Sequence, residues 1–390
     1  MFFLHKRSET KMYLFKSLIF FIFLSSLIIA QMKNPKQIPF GWKTDTTKTE
    51  INLSELSIVL PRRSFQVLNY PKFAYKEEGL KSFFPLEPVI AVQIDGKAKA
   101  YPLNMLSIHE IANDTLGTIP ILATFCPLCN SGIVYDRRLT HKGENHLLDF
   151  EVSGMLRKSD MVMADKQTET WWQQLEGKAI VGELAGAELK VVPSLILSVK
   201  DFFDRYPNGK ILSKSIGIKD AEESYGINYY KNYDRSNGKP YERFFDPNQI
   251  DKRLPAMERV VDVRSFGEFK IYPFSLIAKK GVINDEFNSK NIVLFYKPGL
   301  VSVLDEKDIT QSKDLGTVTV FNSVIEGEKL IFSMENDNYV DINSHSVWDI
   351  TGKCISGKLK DKQLLIEPNG IHFAFAWLAF HPETEIYGVE

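Results

Sequence analysis

The feature that most constrains this chain is a long-range match between its two halves. Residues 177–193 (GKAIVGELAGAELKVVP) match 352–368 (GKCISGKLKDKQLLIEP), with Gly, Lys, Ile, Gly, Leu, Leu and Pro in step at an offset of 175. Nearer the N-terminus, 95–103 (DGKAKAYPL) resembles 266–274 (FGEFKIYPF). Two long, similar stretches predict two diverged copies of one domain, because a solenoid would need three or more shorter units.

Each copy is predicted to consist mainly of short strands. Asp95-Gly96 separates two apolar stretches, which is a strong hairpin signal. Residues 103–113 and 198–206 have helical spacing. Neither a glycine-rich phosphate-binding motif nor long helices alternating with strands are found, so a Rossmann-type sheet is not expected. The pattern predicts a mainly β fold with short helices (α+β), formed by two copies of a barrel- or sandwich-like domain.

The N-terminus is predicted to be a secretory signal peptide. Four basic residues precede the uncharged stretch 17–30 (SLIFFIFLSSLIIA). As a helix this stretch would be about 21 Å long, shorter than the roughly 30 Å hydrocarbon core of a membrane. An uncleaved anchor is the alternative. We therefore expect an exported protein of the periplasm or cell envelope, or a secreted one.

These patterns predict the following domain boundaries: signal peptide 1–30, tether and lead-in 31–84, first repeat domain with the C-x-x-C motif 85–224, linker 225–254, and second, degenerate repeat domain 255–390.

The chain has 48 Lys and Arg against 49 Asp and Glu, a formal net charge of −1. Nucleic-acid binding requires a basic surface, so we expect no nucleic-acid partner. We also expect no membrane span once the signal is cleaved, because no other segment is long and apolar enough.

Cys126 and Cys129 carry the most specific chemistry in the sequence. They stand on one turn, in TFCPLCNSG, between two apolar stretches. Four interpretations remain open. The motif could form a static disulfide, which suits an exported protein, or a soft-metal site, with copper(I) favoured over zinc. It could also carry out thiol–disulfide exchange or form a closed zinc site, although the chain has no second C-x-x-C. A predicted strand, not a helix, follows the motif, which disfavours a thioredoxin-like site. These interpretations suggest that the partner is another protein, one that exchanges a metal ion or a disulfide with this chain.

His109 is the candidate third metal ligand beside Cys126 and Cys129. It borders the apolar face of the predicted helix, where a buried histidine without a metal is the alternative interpretation. Met161 and Met163 point to one face of a predicted strand. Thioether ligation of copper is conceivable there, with core packing as the alternative. The cofactor expectation is therefore copper, and zinc less so.

A second hypothesis is an envelope enzyme of unknown reaction. Its cleft would use His109, Arg157, Asp160 and Asp165 as catalytic candidates, while the cysteines form only a structural disulfide. The alternative interpretation of the acidic residues is that they are exposed charges at strand ends.

The second copy lacks every proposed ligand. Aligning 291–305 with 120–136 puts Lys297 opposite Cys126, and the same register puts Lys280 opposite His109. Cys354 aligns with Ala179, in a predicted strand away from the turn, and is expected to be a buried thiol. The sequence thus predicts one site per chain, in the first copy.

Residues 85–210 resemble a family of exported bacterial and archaeal proteins known only as a domain of unknown function, and 240–390 resemble it more loosely. The resemblance rests on HEIANDTLGTIPILATFCPLCNSGIVYDR, VSGMLRKSDMVMADKQTETWWQ and GKAIVGELAG. It implies export and a shared fold, but no established activity. It also implies a common cleft for the residues that match the family signature: His109, Cys126, Cys129, Ser153, Gly154, Ser159, Asp160, Asp165 and Trp172.

Overall fold

The computed structural model describes residues 41–389. The predicted signal peptide, residues 1–30, and the start of the predicted tether lie outside the described residues. Within residues 41–389 the fold is mainly β with six short α-helices, as the sequence predicted, and no sheet closes into a barrel. No helix in this range is both long enough and apolar enough to cross a membrane.

The first half of the described chain contains, in order, the 3-10 helix Leu53–Glu55, β1 (Leu56–Ile58), β2 (Leu68–Asn69), β3 (Phe73–Ala74), α1 (Lys76–Ser82), β4 (Pro88–Ile94), β5 (Lys97–Pro102), α2 (Leu103–His109), β6 (Ile111–Leu116), β7 (Ile119–Cys126), β8 (Ser131–Asp136), β9 (Arg138–His141), β10 (Glu144–Leu147), β11 (Phe150–Arg157), β12 (Asp160–Asp165), β13 (Trp171–Gln173), β14 (Lys178–Val181), β15 (Leu195–Ser198), α3 (Val199–Arg205), β16 (Lys210–Leu212) and α4 (Lys219–Glu222).

The second half contains the 3-10 helix Pro247–Gln249, β17 (Arg259–Ser265), β18 (Glu268–Pro273), α5 (Phe274–Lys280), β19 (Val282–Phe287), β20 (Lys290–Lys297), the 3-10 helix Ile309–Gln311, β21 (Thr317–Asn322), β22 (Val324–Ile325), β23 (Glu328–Lys329), β24 (Phe332–Glu335), β25 (Asn338–Asp341), β26 (Val347–Trp348), β27 (Cys354–Ser356), β28 (Leu365–Ile366), β29 (Ile371–Phe373), α6 (Ala374–Phe380) and β30 (Glu385–Ile386).

The largest sheet is shared by both halves. Its strand order is β2-β6-β7-β8-β29-β17-β18-β30, and the halves meet where Gly132 of β8 pairs with Ile371 of β29. The sheets β1-β11-β12-β13-β14 and β15-β4-β5-β16-β3 belong to the first half, and β24-β25-β26-β27 belongs to the second. One hydrophobic cluster extends across both halves, so the two share a core. The predicted linker also packs there, with Tyr230 and Tyr233 buried.

The two halves follow a similar order of elements from β4 to β16 and from β17 to β30, although the second half adds β28 and the 3-10 helix Ile309–Gln311. They also repeat specific side-chain contacts. Asn113 exchanges two hydrogen bonds with the backbone of Phe150, and Asn284 exchanges the same two with Phe332. The indole of Trp172 donates to Asp165, as that of Trp348 donates to Asp341. A duplication remains our interpretation of these matches.

Helix α2 ends earlier than its sequence pattern predicts. The apolar spacing continues to residue 113, but the helix stops at His109 because Glu110 adopts φ 59° and ψ −31°, outside the helical region. Strand β6 then begins at Ile111. This early end places Glu110 at the junction of helix and sheet, beside the strand that carries Cys126.

Candidate metal centre

The two cysteines lie at the ends of the tight turn that joins β7 to β8. Cys126 pairs across the sheet with Ser131, and the backbone N–H of Cys129 donates to the carbonyl oxygen of Cys126 at 3.2 Å. Asn130 takes a positive φ of 48° to complete the turn. Both thiols are free and buried. The static disulfide, one of the four interpretations of the motif, is therefore not formed in this structure.

Asp160 completes a group of three metal-ligating side chains. It is the first residue of β12, just after the two-residue turn Lys158-Ser159. A sulfur of Cys126, a sulfur of Cys129 and a carboxylate oxygen of Asp160 all lie within 4.8 Å of one another. The sequence predicts Asp160 as a catalytic candidate rather than as a ligand, although the family resemblance implies that it shares a cleft with Cys126 and Cys129.

Both ring nitrogens of His109, the predicted third ligand, form hydrogen bonds with groups other than the two cysteines. Its Nδ1 lies 2.6 Å from the carbonyl oxygen of Gln66, and its Nε2 lies 2.8 Å from the hydroxyl of Tyr225. The side chain is buried, and burial lowers its pKa, so the ring is neutral. Asp160, not His109, is the group that the structure places with the two sulfurs.

One side of the Asp160 carboxylate is held by the protein and the other faces the thiols. Oδ2 accepts hydrogen bonds from Gln173 Nε2 at 2.5 Å and from the backbone of Leu175 at 2.9 Å. Oδ1 is buried without a nitrogen or oxygen partner among the described residues, and its polar neighbours are the thiols of Cys126 and Cys129. The two thiols are the potential hydrogen-bond donors to Oδ1, so the two sulfurs and this oxygen face one another in the metal-free protein.

Two further buried oxygens close to this group also lack hydrogen-bond partners in the described part of the chain. They are Oγ of Ser159 and Oε1 of Gln174. The carbonyl oxygen of Ser159 lies 3.9 Å from Cys126 Sγ, and Gln174 Nε2 donates to the carbonyl of Ser131, the strand partner of Cys126. Unsatisfied acceptors concentrated at one place indicate a site for a cation or water.

Burial sets the electrostatics of the group. It raises the pKa of the Cys126 thiol and raises that of Cys129 well above its usual value. It also raises the pKa of Asp160 to about 6 and that of the neighbouring Glu110 to about 8, the latter with help from the charge of Asp160. Within residues 41–389, no positive charge is among the causes that set the pKa values of the two thiols. A bound cation would supply it.

Non-glycine residues with positive φ cluster around the site. They are Glu110 (φ 59°), Asn130 (φ 48°), Lys158 (φ 50°) and Ser159 (φ 68°). Lys158 and Ser159 form a two-residue hairpin loop, in which φ is positive at both positions. Asn336 and Asp337, in the loop between β24 and β25, likewise have a pair of positive φ values, so these values follow from the hairpin turn and do not by themselves mark a site.

The other two catalytic candidates, Arg157 and Asp165, differ in their place relative to Asp160. Arg157 pairs with Asp160 across the hairpin; its Nε donates to Glu55 at 3.0 Å and its Nη1 donates at 3.4 Å to Gln173, which in turn donates to Asp160. Asp165 accepts a hydrogen bond from Trp172 Nε1 at 2.9 Å, and it stands at the opposite end of β12 from Asp160, about 16 Å away at the usual rise of a strand. The structure therefore does not gather the four predicted catalytic residues into one cleft.

The predicted linker and the second half also contribute contacts that the sequence analysis missed. The hydroxyl of Tyr233 donates to the carbonyl of Leu128, inside the C-x-x-C turn, at 2.9 Å. The backbone N–H of Phe373 donates to the carbonyl of Cys129 at 2.8 Å. The aromatic richness of residues 225–245 was the only sequence signal for such contacts, since these residues are far along the chain from the cysteines.

A buried polar chain ties the turn to the second half. The Ser131 hydroxyl lies 3.1 Å from Nδ1 of His372, and Nε2 of His372 lies 3.2 Å from Asp262 Oδ1. This connectivity matches that of a Ser-His-Asp triad. All three side chains are fully buried, however, so a substrate cannot reach Ser131. We interpret the chain as a structural link between β8, β29 and β17.

Comparison with known proteins gives a family but no activity. A family model described as "Protein of unknown function (DUF3179)" matches residues 67–384, which include Cys126, Cys129, Asp160 and both halves of the fold. No curated protein and no solved structure matches the chain. The predicted resemblance to a domain-of-unknown-function family is thereby confirmed.

Proposed function

The chain belongs to the DUF3179 family, and from its buried site we propose that it binds one thiophilic metal ion through Cys126, Cys129 and Asp160. The observation that carries this proposal is the convergence of two thiols and a carboxylate within 4.8 Å, with Asp160 Oδ1 otherwise unpartnered. Metal binding would remove the two thiol protons and surround the cation with three anionic ligands, two thiolates and one carboxylate.

The donor set favours zinc over copper(I). Zinc accepts thiolate sulfur and carboxylate oxygen together in tetrahedral sites, whereas copper(I) prefers sulfur. Copper was the expectation from the cysteines alone, and the carboxylate of Asp160 changes that preference. A neutral donor such as water would fill the remaining position of a tetrahedral site.

Thiol–disulfide exchange is the weaker alternative. An exchanging thiol needs exposure and a lowered pKa. Cys126 and Cys129 are 2% and 0% exposed, and burial raises the pKa of both. Metal binding needs neither exposure nor a free thiolate, because the ion itself displaces the protons.

We further propose that the protein is exported and holds a single such site. The signal-peptide pattern of residues 1–30 supports export. In the second half, Lys297 ends β20 as Cys126 ends β7, and it forms an ion pair with Asp201 instead of a metal site. The second half therefore serves to support the site in the first.

Metal content and thiol counting test this proposal. The reduced protein is equilibrated with excess Zn(II) or Cu(I), desalted, and measured by elemental mass spectrometry. We expect one zinc per chain in the wild type. Cys126→Ser, Cys129→Ser and Asp160→Asn should each retain much less, with affinity at least tenfold lower.

Cys354→Ser is the matched control, because Cys354 is buried in the second half away from the site. It should retain one zinc. Circular dichroism confirms that each variant folds. A wild type that takes up neither metal would overturn the proposal. Uptake of copper(I) that Asp160→Asn leaves unchanged would replace it with a two-thiolate copper site.

A further inference from the structure

The second half carries a groove of about 550 Å³ between the β17–β18 hairpin and residues 380–385, at the end of α6 and beyond it. Phe269, Phe287 and Phe380 line it with aromatic rings. An apolar cavity of about 150 Å³ is already large enough to hold benzene, so this groove has room for a small organic molecule. The proposed metal site contributes no residue to it.

Among the residues that the structure describes, every charged side chain that lines the groove is acidic. These side chains are Glu268, Glu383 and Glu385. Glu385 pairs with Lys270 at 2.6 Å, whereas Glu268 and Glu383 form no ion pair within the described part of the chain. His381 also lines the groove, and burial lowers its pKa to about 3, so its ring is neutral.

Four basic side chains lie close to the groove but do not line it, and each already has a carboxylate or carbonyl acceptor. They are Arg157, Lys158, Arg253 and Lys270. Arg157 and Lys158 lie 5.1 Å and 5.3 Å from the ring of Phe380. Lys270, 5.9 Å from the ring of Phe287, bridges Asp285 and Glu385. The two unpaired carboxylates are therefore the charges that the groove offers to a ligand.

The first half has basic residues at the corresponding positions. Strand β30 pairs with β18 in parallel, as β16 pairs with β5. In this register Lys97 of the first half corresponds to Glu268. Lys210 corresponds to Glu385 in the same way. The common arrangement of strands therefore does not require acidic residues here, and the acidic groove belongs to the second half alone.

We propose that this groove binds a small organic cation, such as a quaternary ammonium compound, between its aromatic rings and the carboxylates of Glu268 and Glu383. The faces of aromatic rings attract cations, and the carboxylates add the attraction of opposite charges. The proposal goes beyond metal binding and does not require it. Because both carboxylates are exposed, binding should weaken as the salt concentration rises.

The test titrates the full, metal-free chain with choline and follows binding by saturation-transfer NMR. The neutral control is the analogue of choline in which carbon replaces the charged nitrogen. We expect choline to bind saturably and at least tenfold more tightly than this analogue. The double variant Glu268→Gln/Glu383→Gln should bind choline at least fivefold more weakly, because it removes both charges and keeps the size of the side chains.

Glu78→Gln/Glu144→Gln is the matched control, because it removes two exposed carboxylates from the first half and changes the net charge equally. It should leave choline affinity unchanged. Absence of saturable choline binding would overturn the proposal, as would equal affinity for the neutral analogue. Unchanged affinity in a folded Glu268→Gln/Glu383→Gln variant, or equal weakening in the control variant, would also overturn it. Zinc uptake without choline binding would overturn only the groove proposal, whereas choline binding without zinc uptake would overturn only the metal proposal.

Discussion

Around Cys126 and Cys129, burial decides protonation more than neighbouring charge does. Burial is the main cause of the raised pKa values of both thiols, of Asp160 and of Glu110. Without a cation, this part of the core is most stable when its acids are protonated. Each of these side chains therefore makes the stability of the metal-free protein depend on pH.

Glu110 gives the clearest pH prediction. Its pKa in the folded protein is about 8, against a usual 4.5, so the folded state holds the proton more tightly than the unfolded state. The stabilising contribution of protonated Glu110 is complete below pH 4.5 and is lost as the pH rises through 8. Glu110→Gln cannot ionise. Relative to wild type, it should gain stability from pH 5 to pH 8, by up to about 1.4 kcal/mol per pH unit.

Urea unfolding of the metal-free proteins at several pH values checks this. Glu144→Gln, at an exposed hairpin position, is the control and should keep a constant difference from wild type. A pH-independent difference between Glu110→Gln and wild type would show that Glu110 is not held neutral by burial.

The sequence predicted part of this site, and the reason is local spacing. Cys126 and Cys129 are two residues apart on a turn, so their proximity follows from the chain itself. The place of Asp160 depends on the register of β11 and β12 and on how that hairpin packs over the turn. Residue patterns do not encode that register. His109 was a reasonable candidate by residue type, but Tyr225, from the predicted linker, takes one of its nitrogens.

At the scale of elements, the bulged β11–β12 hairpin distinguishes the first half from the second. Gly154 lies in the bulge with φ +83°, and its carbonyl accepts hydrogen bonds from the backbone of Val59 and Leu60. A Cβ added at Gly154 would lie 2.2 Å from the Leu60 carbonyl oxygen. The lead-in segment can therefore pack on the bulge only if this residue is glycine.

Gly154→Ala should consequently destabilise the protein by about 3 kcal/mol or more, through both positive φ and a backbone clash. Gly143→Ala is a matched control, since Gly143 has φ +84° and no atom within 4 Å of an added Cβ. It should cost only about 1–2 kcal/mol. Urea unfolding of the two variants measures the difference, and equal losses would contradict the close packing of Leu60 on Gly154.

The strands themselves were largely predictable, because hairpin signals and apolar alternation are local. The barrel alternative was not excluded by the sequence, since closure depends on which distant strands pair. Gly132 pairs with Ile371, a residue far away in the chain, and this pairing joins strands of both halves into one large, open sheet. No short-range sequence pattern predicts a pairing between strands that are so far apart in the chain.

At the scale of the whole molecule, each half contributes a helix to the other. Lys158, in the first hairpin, donates to the carbonyl of Ala379 in α6 at 2.7 Å. In the second half, Thr351 Oγ1 accepts from Arg205 of α3 at 3.0 Å. These contacts join the two halves. The proposed metal site, which lies next to Lys158, therefore packs against residues of both halves.

The link from Ser131 through His372 to Asp262 provides a test of that dependence. His372→Gln should break at least one buried hydrogen bond and lower the free energy of unfolding by about 1–3 kcal/mol. His146→Gln, in the exposed β9–β10 hairpin, should change it little. Denaturant unfolding of both variants measures the effect. A His372→Gln variant as stable as wild type would show that this link does not hold the halves together.

The most direct test of the central claim is X-ray absorption at the zinc K-edge of the zinc-loaded protein. The proposed site predicts two sulfur ligands at about 2.3 Å and oxygen ligands at about 2.0–2.2 Å. Asp160→Asn should alter the oxygen shell and keep both sulfurs, while Cys354→Ser should give the wild-type spectrum. A first shell without sulfur, or identical spectra for wild type and Asp160→Asn, would contradict a metal centre formed by Cys126, Cys129 and Asp160.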